Sequence, residues 1–395
     1  MASPAPRPRG RLLRWARRAA VGLIGLVVLT ATVLWFSTAH FRAFGGTMGG
    51  ATLTRMQASP HFVDDHFVNT EPTSLMASRD YGGALAEWLG GKQMRVPTCP
   101  LPLVADTAVQ LSAPPQSGLR LTWLGHSTTL LEVDGATLLT DPTWSERASP
   151  LSWVGPRRFH PPPLAFEALP PLDAVLISHE HYDHLDMVTV QRLAARGVPF
   201  HVPLGIGAHL AAWGVPAAQI FEHDWWEAAT LPNGVRLVST PARHFNGRGV
   251  PWRVGALWTS WSIVGPRHRV FFSGDTGLSE SLREIAAREG PFDVALLEIG
   301  QFHPSWGSIH LGPAGALEAF ARLGAKVLVP IHWSTFVLAY HAWSEPVEVL
   351  FEESARRGVP LATPRLGQPI EVAGPNQTVT TPWWRALPPH SAACP

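Results

Sequence analysis

Directly after the apolar run DAVLIS, six consecutive residues, His179-Glu180-His181-Tyr182-Asp183-His184, crowd three imidazoles against carboxylates. Each imidazole must be solvated, hydrogen-bonded or ligated, so the cluster is unsuited to filling a core. Metal ligation is the economical role. In a loop at a strand end, His179 and His181 can address one ion while Asp183 and His184 turn toward another, offering the nitrogen and oxygen donors that suit Zn²⁺. The alternative is a solvated, histidine-rich surface turn.

Three more donors recur in one setting, in which an apolar run ends and a single His or Asp stands at its tip. VRLVSTPAR is followed by His244, RVFFSG by Asp275 and KVLVPI by His332. Alone, each reads as a hydrogen-bonded residue without catalytic importance. Together they complete two sites, with His179, His181 and His244 on one metal, Asp183, His184 and His332 on the other, and Asp275 as the bridge. Each ion keeps a position open for water, which marks a catalytic rather than a structural site. Two such ions lower the pKa of a shared water and supply a nucleophile near neutral pH.

The elements that must position these donors are legible as a pattern. The chain has 395 residues, 46% of them hydrophobic and 15% charged, which permits a large core and excludes a disordered or fibrous protein. With 38 prolines, 35 glycines and 17 tryptophans it is not a helical bundle or coiled coil. LRLTWLGH, TTLLEVDG and ATLLTDP, starting at Leu119, read as a β-meander. Farther on, strand-like runs (DAVLIS, VRLVSTPA, RVFFSGD, DVALLEIG, KVLVPIH) alternate with helical candidates over 187–196, 282–288, 313–323 and 346–357. That alternation predicts a layered α/β domain. Residues 51–118 read as an irregular extension packing on it, with one helical stretch near 85–89. Residues 373–395 form a polar, Pro-rich tail expected on the surface.

Residues 1–18 carry six arginines and no acid, and residues 19–38 form an uncharged run long enough to cross a bilayer. The excess of arginines on the N-terminal flank keeps the N-terminus in the cytoplasm and exports the rest, to the periplasmic face of a bacterial inner membrane. A cleaved signal peptide is the other reading of this segment, with Ser37 and Ala39 before the cut. Residues 39–50 read as a Gly-rich spacer. Beyond residue 18, 25 basic residues stand against 30 acidic ones, which leaves no nucleic-acid footprint. Cys99 and Cys394 supply neither a zinc knuckle nor a thiol centre; in an exported domain they can pair, but their separation in sequence does not decide it. No Gly-x-Ser-x-Gly elbow supports serine hydrolysis.

The His-x-His-x-Asp-His loop with its downstream His, Asp and His resembles the metallo-β-lactamase fold superfamily. Within it, the strings WLGHSTTLLEVDG, LTDPTWSERASPLSWVGPRRF, HEHYDHLD, PARHFNGRG, FFSGDTG and PIHWSTF resemble the N-acyl-phosphatidylethanolamine phospholipase D branch and its bacterial relatives, over roughly residues 51–372. The resemblance implies a four-layer αβ/βα sandwich over 119–372 and two Zn²⁺ held by His179, His181, Asp183, His184, His244, Asp275 and His332. It implies a phosphodiesterase whose products are an N-acylethanolamine and phosphatidic acid, with catalytic roles for Asp183, Asp275 and His310. His310, in SIHLGP, would orient the phosphate or protonate the leaving oxygen, or else bond locally before the helix. The chain departs from the phospholipase at QFHPSWGS, where His303 replaces an acidic residue. A lactonase or other cyclic ester or amide hydrolase on the same metals is one alternative, and a non-enzymatic envelope protein with a vestigial site is another.

Lesser candidates have ordinary readings. Asp186 suits a helix N-cap, Asp141 a turn or a brace behind a ligand, and His126 a hydrogen bond to backbone, although its string can line the cleft. Arg157 and Arg158 can meet a phosphate or simply face solvent, and Trp225-Trp226 and Trp383-Trp384 can touch lipid or pack.

Overall fold

The computed structural model describes residues 9–75, 81–248, 254–303, 305–372, 380–387 and 394. Arg7 of the basic arm and most of the tail lie outside them. The chain divides into two units, one ending at Phe44 and one beginning at Gly45. The first is dominated by helix α1 (Arg9–His40), within which Leu13–Val33 is long and apolar enough to cross a membrane. The helix begins before the uncharged run that opens at residue 19, because arginine is a good helix former and continues the helix past the apolar run.

The second unit opens with α2 (Gly50–Gln57), the short hairpin β1 (Phe62–Val63) and β2 (His66–Phe67), α3 (Tyr81–Gly90) and α4 (Thr107–Gln110). The expected meander follows as β3 (Leu119–Gly125), β4 (Thr128–Val133) and β5 (Ala136–Thr140), joined in antiparallel register. Next come β6 (Ala174–Leu176), α5 (Met187–Ala195), β7 (Phe200–Pro203), α6 (Ile206–Ala212), β8 (Ile220–His223), β9 (Ala228–Thr230) and β10 (Arg236–Thr240). The chain continues through β11 (Ser260–Val264), β12 (Arg269–Phe272), α7 (Ser281–Glu289), β13 (Val294–Glu298), α8 (Gly312–Leu323), β14 (Val327–Ile331), α9 (Glu345–Arg357) and β15 (Pro369–Glu371).

These strands form two sheets, one ordered β15-β3-β4-β5-β6-β7-β8 and the other β14-β13-β12-β11-β10-β9. Alternation along the strands sorts the first sheet into two faces. Leu131, Leu138, Ala174 and Leu176 enter the cluster that also holds Leu237, Trp261 and Phe271 of the second sheet. Their neighbours Leu130, Leu139, Val175 and Ile177 enter the cluster that holds Val190, Leu193, Ile206 and Leu210 of α5 and α6. The second sheet is covered on its other side by α7, α8 and α9, whose Ile285, Leu317, Phe320 and Leu350 are buried with it. The order is helix, sheet, sheet, helix.

Local chemistry sets the helix limits. In α8 a proline stands in the first turn, Pro313, Ala316, Leu317, Phe320 and Leu323 make the buried stripe, and Gly324 closes the helix at φ 59°. Asp186 accepts from the Val188 N–H at 3.2 Å and caps α5, as the sequence suggested.

The tail departs from expectation. Trp383 and Trp384 are buried in a 3-10 turn, Trp383 stacking on Trp333 at 5.4 Å, because packing indole rings together removes large apolar surfaces from water. β15 pairs with β3, and Cys394 is bonded to Cys99, with Cα atoms 5.6 Å apart.

Candidate metal centre

The donors converge at one edge of the two sheets because each follows the C-terminal end of a strand. His126 follows β3, Asp141 follows β5, His179 opens the loop after β6, and His244 lies four residues past β10. Asp275 lies three residues past β12, Glu298 ends β13 and His332 follows β14. Polar side chains at strand tips escape the apolar interior while the strands fix their spacing. His126, Asp141 and His332 have φ of 50°, 34° and 65°, so the backbone turns sharply at three of these tips.

Donor atoms gather in two adjoining groups. His179, His181, His244 and Asp275 form one; Asp183, His184 and His332, joined by His126, form the other. Between His179 Nε2 and His181 Nδ1 the gap is 2.9 Å, and between His244 Nε2 and His181 Nδ1 it is 3.3 Å. Asp275 lies between the groups, with one oxygen 3.1 Å from His332 Nε2 and 3.2 Å from His184 Nε2, the other 3.8 Å from His179 Nε2 and 3.9 Å from His244 Nε2.

The hydrogen-bond inventory fits a cation. His184 donates its Nδ1–H to Asp141 at 2.7 Å, which leaves Nε2 as a lone pair. His244 likewise directs Nδ1 at the Ile309 carbonyl at 3.0 Å. His184 Nε2, His332 Nε2 and Asp275 Oδ1 are buried beside one another with no hydrogen bond. Buried acceptors facing one another without donors are costly, and a divalent ion satisfies all of them at once.

Electrostatics separates the two groups. His179 and His244 are held well below the ordinary imidazole range, and His181 below it, first by burial; neighbouring imidazoles add to this, and these rings are neutral nitrogen donors. Burial also opposes charging His184 and His332, but Asp275 and Asp183 outweigh it, placing His184 well above the usual range and His332 at about 10. The second group thus demands positive charge, which either protons or a metal can provide.

Of the residues around the donors, the bracing role of Asp141 was legible in sequence, whereas the partners of His126, Glu180 and Glu298 were not. His126 does not bond backbone through its ring; Nε2 donates to Asp183 at 2.8 Å, and burial keeps the ring neutral with a pKa of about 3. Asp141 braces rather than ligates, accepting from the Ser178 N–H, the Ser178 hydroxyl and His184 at 2.6–2.7 Å. Glu180 turns away to accept from His209 at 2.9 Å and from the Arg248 N–H at 3.2 Å, while Arg248 Nε bonds the Glu180 carbonyl at 2.7 Å. This pins the loop from behind. Glu298, read only as strand, accepts from His310 Nδ1 at 3.0 Å and from the Leu311 N–H at 3.0 Å.

Beside the donors lies a cavity of about 370 Å³ lined by His181, Asp183, Asp275, His310 and His332 on one side and by Leu75, Phe245, Trp306, Ile309 and Leu338 on the other. His303 stays out of the cluster, contacting Glu87 at 3.1 Å with its ring against Tyr340. Trp225 is buried and bonds the Trp258 carbonyl, and Trp226 lies under Arg288, so both pack within the domain.

Comparison with known proteins agrees with this geometry. Residues 136–333 match the family described as beta-lactamase superfamily domain. An uncharacterised protein of Mycobacterium tuberculosis is 42% identical over 386 residues, covering 95% of this chain and all of that one. An N-acyl-phosphatidylethanolamine-hydrolyzing phospholipase D of Caenorhabditis elegans is 37% identical over 232 residues, 56% of this chain and 65% of that protein. Among solved structures, an isothiocyanate hydrolase from Delia radicum gut bacteria superposes with a TM-score of 0.52 at 20% identity, covering 64% of this chain and 99% of that one, a likeness of fold. With histidines and carboxylates gathered at the strand tips of this sandwich, the chain belongs to the metallo-β-lactamase superfamily and is a metal-dependent hydrolase.

Proposed function

We propose that this chain is a zinc-dependent phosphodiesterase of N-acyl-phosphatidylethanolamine phospholipase D type, tethered by α1 with its second unit exported. The observation that carries the reading is the cavity, whose one wall presents ligand atoms without hydrogen bonds and whose other wall is apolar. A phosphodiester bearing acyl chains matches both walls. The 37% identity with the nematode phospholipase supports the same substrate class.

His179, His181 and His244 would hold one ion, Asp183, His184 and His332 the other, and Asp275 both. Bound there, the two ions supply Lewis acidity that lowers the pKa of a water and offsets phosphoryl charge. The chain supplies the rest. Glu298 accepts from His310 Nδ1 and so fixes the ring, leaving Nε2 for the cavity. Burial opposes a charged His310, but Glu298 prevails and raises its pKa, so the ring can carry a proton to a leaving oxygen. Leu75, Phe245, Trp306 and Leu338 exclude water and hold hydrocarbon.

Zinc-loaded full chain incubated with an N-acylated phosphatidylethanolamine should release phosphatidic acid, detected by mass spectrometry, while Asp275→Ala should lose both bound zinc and product. A zinc-replete wild type that forms no phosphatidic acid would redirect the same centre to lactones, cyclic amides or soluble phosphodiesters.

A further inference from the structure

Two arginines stand together at 157 and 158, and the metal centre uses neither. Arg157 is exposed and paired with Glu146 at 2.5 Å. Arg158 differs. Its side chain has one hydrogen bond among the described residues, from Nη1 to the Thr143 carbonyl at 3.3 Å, its Nε is buried with no partner, and no described carboxylate lies within ion-pair distance of it. Burial lowers its pKa to about 10, against the opposing charge of Asp186, which lies beyond ion-pair distance. The residue as a whole is half-buried, but a buried guanidinium N–H left without an acceptor is costly to a fold.

This side chain lines a groove of about 760 Å³ that shares no lining residue with the metal cavity. Around Arg158 the walls are Val96, Trp144, Phe159 and Pro162, with Arg157 at the rim. Glu146, which also lines the groove, is engaged by Arg157, and His160 is held uncharged, with a pKa of about 4, by burial and by Arg158 itself. The groove therefore offers a guanidinium that stands over the Phe336 ring at 5.8 Å but, among the described residues, in no ion pair, beside two further aromatic faces. Its volume suits an organic molecule rather than a lone ion.

We propose that this groove is a second ligand site, separate from the metal centre, that receives the phosphate of an organic phosphate ester on Arg158 and its apolar part against Trp144 and Phe159. A guanidinium presents donors in a planar fork that matches phosphate oxygens, and the pairing strengthens where water is displaced. The site also adjoins the catalytic edge. The Phe159 N–H donates to the Thr335 carbonyl at 2.9 Å, and Thr335 Oγ1 accepts from the His126 N–H at 2.7 Å.

The test is calorimetric titration of the full zinc-loaded chain, in detergent, with phenyl phosphate, inorganic phosphate and a short-chain phosphatidic acid below its micellar concentration. Each titration is repeated in Asp275→Ala to remove phosphate binding at the metals. Phenyl phosphate should bind Asp275→Ala, and adding Arg158→Met should weaken that binding at least tenfold. Val96→Glu, at a position 51% exposed, places a carboxylate on the groove wall for Arg158 and should weaken binding tenfold without threatening the fold. Tighter binding of the phosphatidic acid than of phenyl phosphate would make the ligand a lipid head group, and the reverse a soluble ester; both support the site. Binding left intact by Val96→Glu overturns the proposal whether or not Arg158→Met folds, as does equal affinity for inorganic and phenyl phosphate.

Discussion

Asp141 shows how a single buried carboxylate can govern a centre it does not enter. Burial raises its pKa, and its bonds to His184, the Ser178 hydroxyl and the Ser178 N–H oppose that rise. Its position decides which His184 nitrogen carries the hydrogen and therefore which one faces Asp275. Asp141→Asn keeps the shape but can present an amide donor to a ring that must itself donate. We expect ~10–100-fold weaker zinc binding, measured by competition with a chromophoric chelator, with the fold retained by circular dichroism. Zinc affinity equal to wild type would show that the tautomer is set elsewhere. The seven donors proposed as ligands could be singled out in sequence, four because they crowd one six-residue loop and three because each stands just past an apolar run. Glu298 was not, since it continues the run DVALLE and only the fold brings His310 to it. His126 was misjudged for the same reason, its partner Asp183 being 57 positions away.

At the scale of elements, β3–β5 follow the sequence because short apolar runs broken by Gly, Asp and Pro mark strands buried on both faces, and α5, α7, α8 and α9 follow its periodicity because each has one buried face. The strands β7, β8, β9 and β11 and the helix α6 were not read. FHVP and IFEH are short and carry polar residues at positions the fold buries. The buried polar pair between them makes a pH prediction. His201 Nδ1 and His223 Nε2 lie 3.0 Å apart, and both rings titrate near 4, lowered first by burial, then by His223 in the case of His201 and by Arg55 in the case of His223. Each folded-state pKa lies below the unfolded value of 6.5, so the unfolded chain takes up protons first. Stability contributed by the neutral pair is complete above 6.5 and is lost as the pH falls toward 4, with a ceiling of ~3 kcal/mol for either ring. Urea midpoints between pH 7.5 and 4.5 should fall more steeply in wild type than in His201→Phe/His223→Phe, which removes both polar partners together. Parallel pH profiles would mean that this pair does not sense acid.

At the scale of the whole molecule, the segment ending at Phe44 and the bond between Cys99 and Cys394 bear independently on where the second unit resides. Leu13–Val33 is 21 residues long, about 32 Å as a helix, enough for a bilayer core. Arginines are gathered before it and in its first turns, and the positive-inside rule would then export everything after it. Disulfides persist in oxidising compartments, so a lasting Cys99–Cys394 bond would require the same side. The sequence could not join these facts, because 295 positions separate the two cysteines and the stretch before Cys394 reads as an ordinary surface tail. Its anchorage comes instead from Trp383 and Trp384 packing at Trp333. The two lines of evidence make one prediction. In intact cells treated with a membrane-permeant maleimide, neither thiol should be labelled until a reductant is added, and protease applied to cells with a permeabilised outer envelope should digest the second unit. Labelling without reductant together with protection from protease would place the domain in the cytoplasm. The metal centre would survive that result, since its ligands include no thiol, but a substrate in the outer face of the membrane would not.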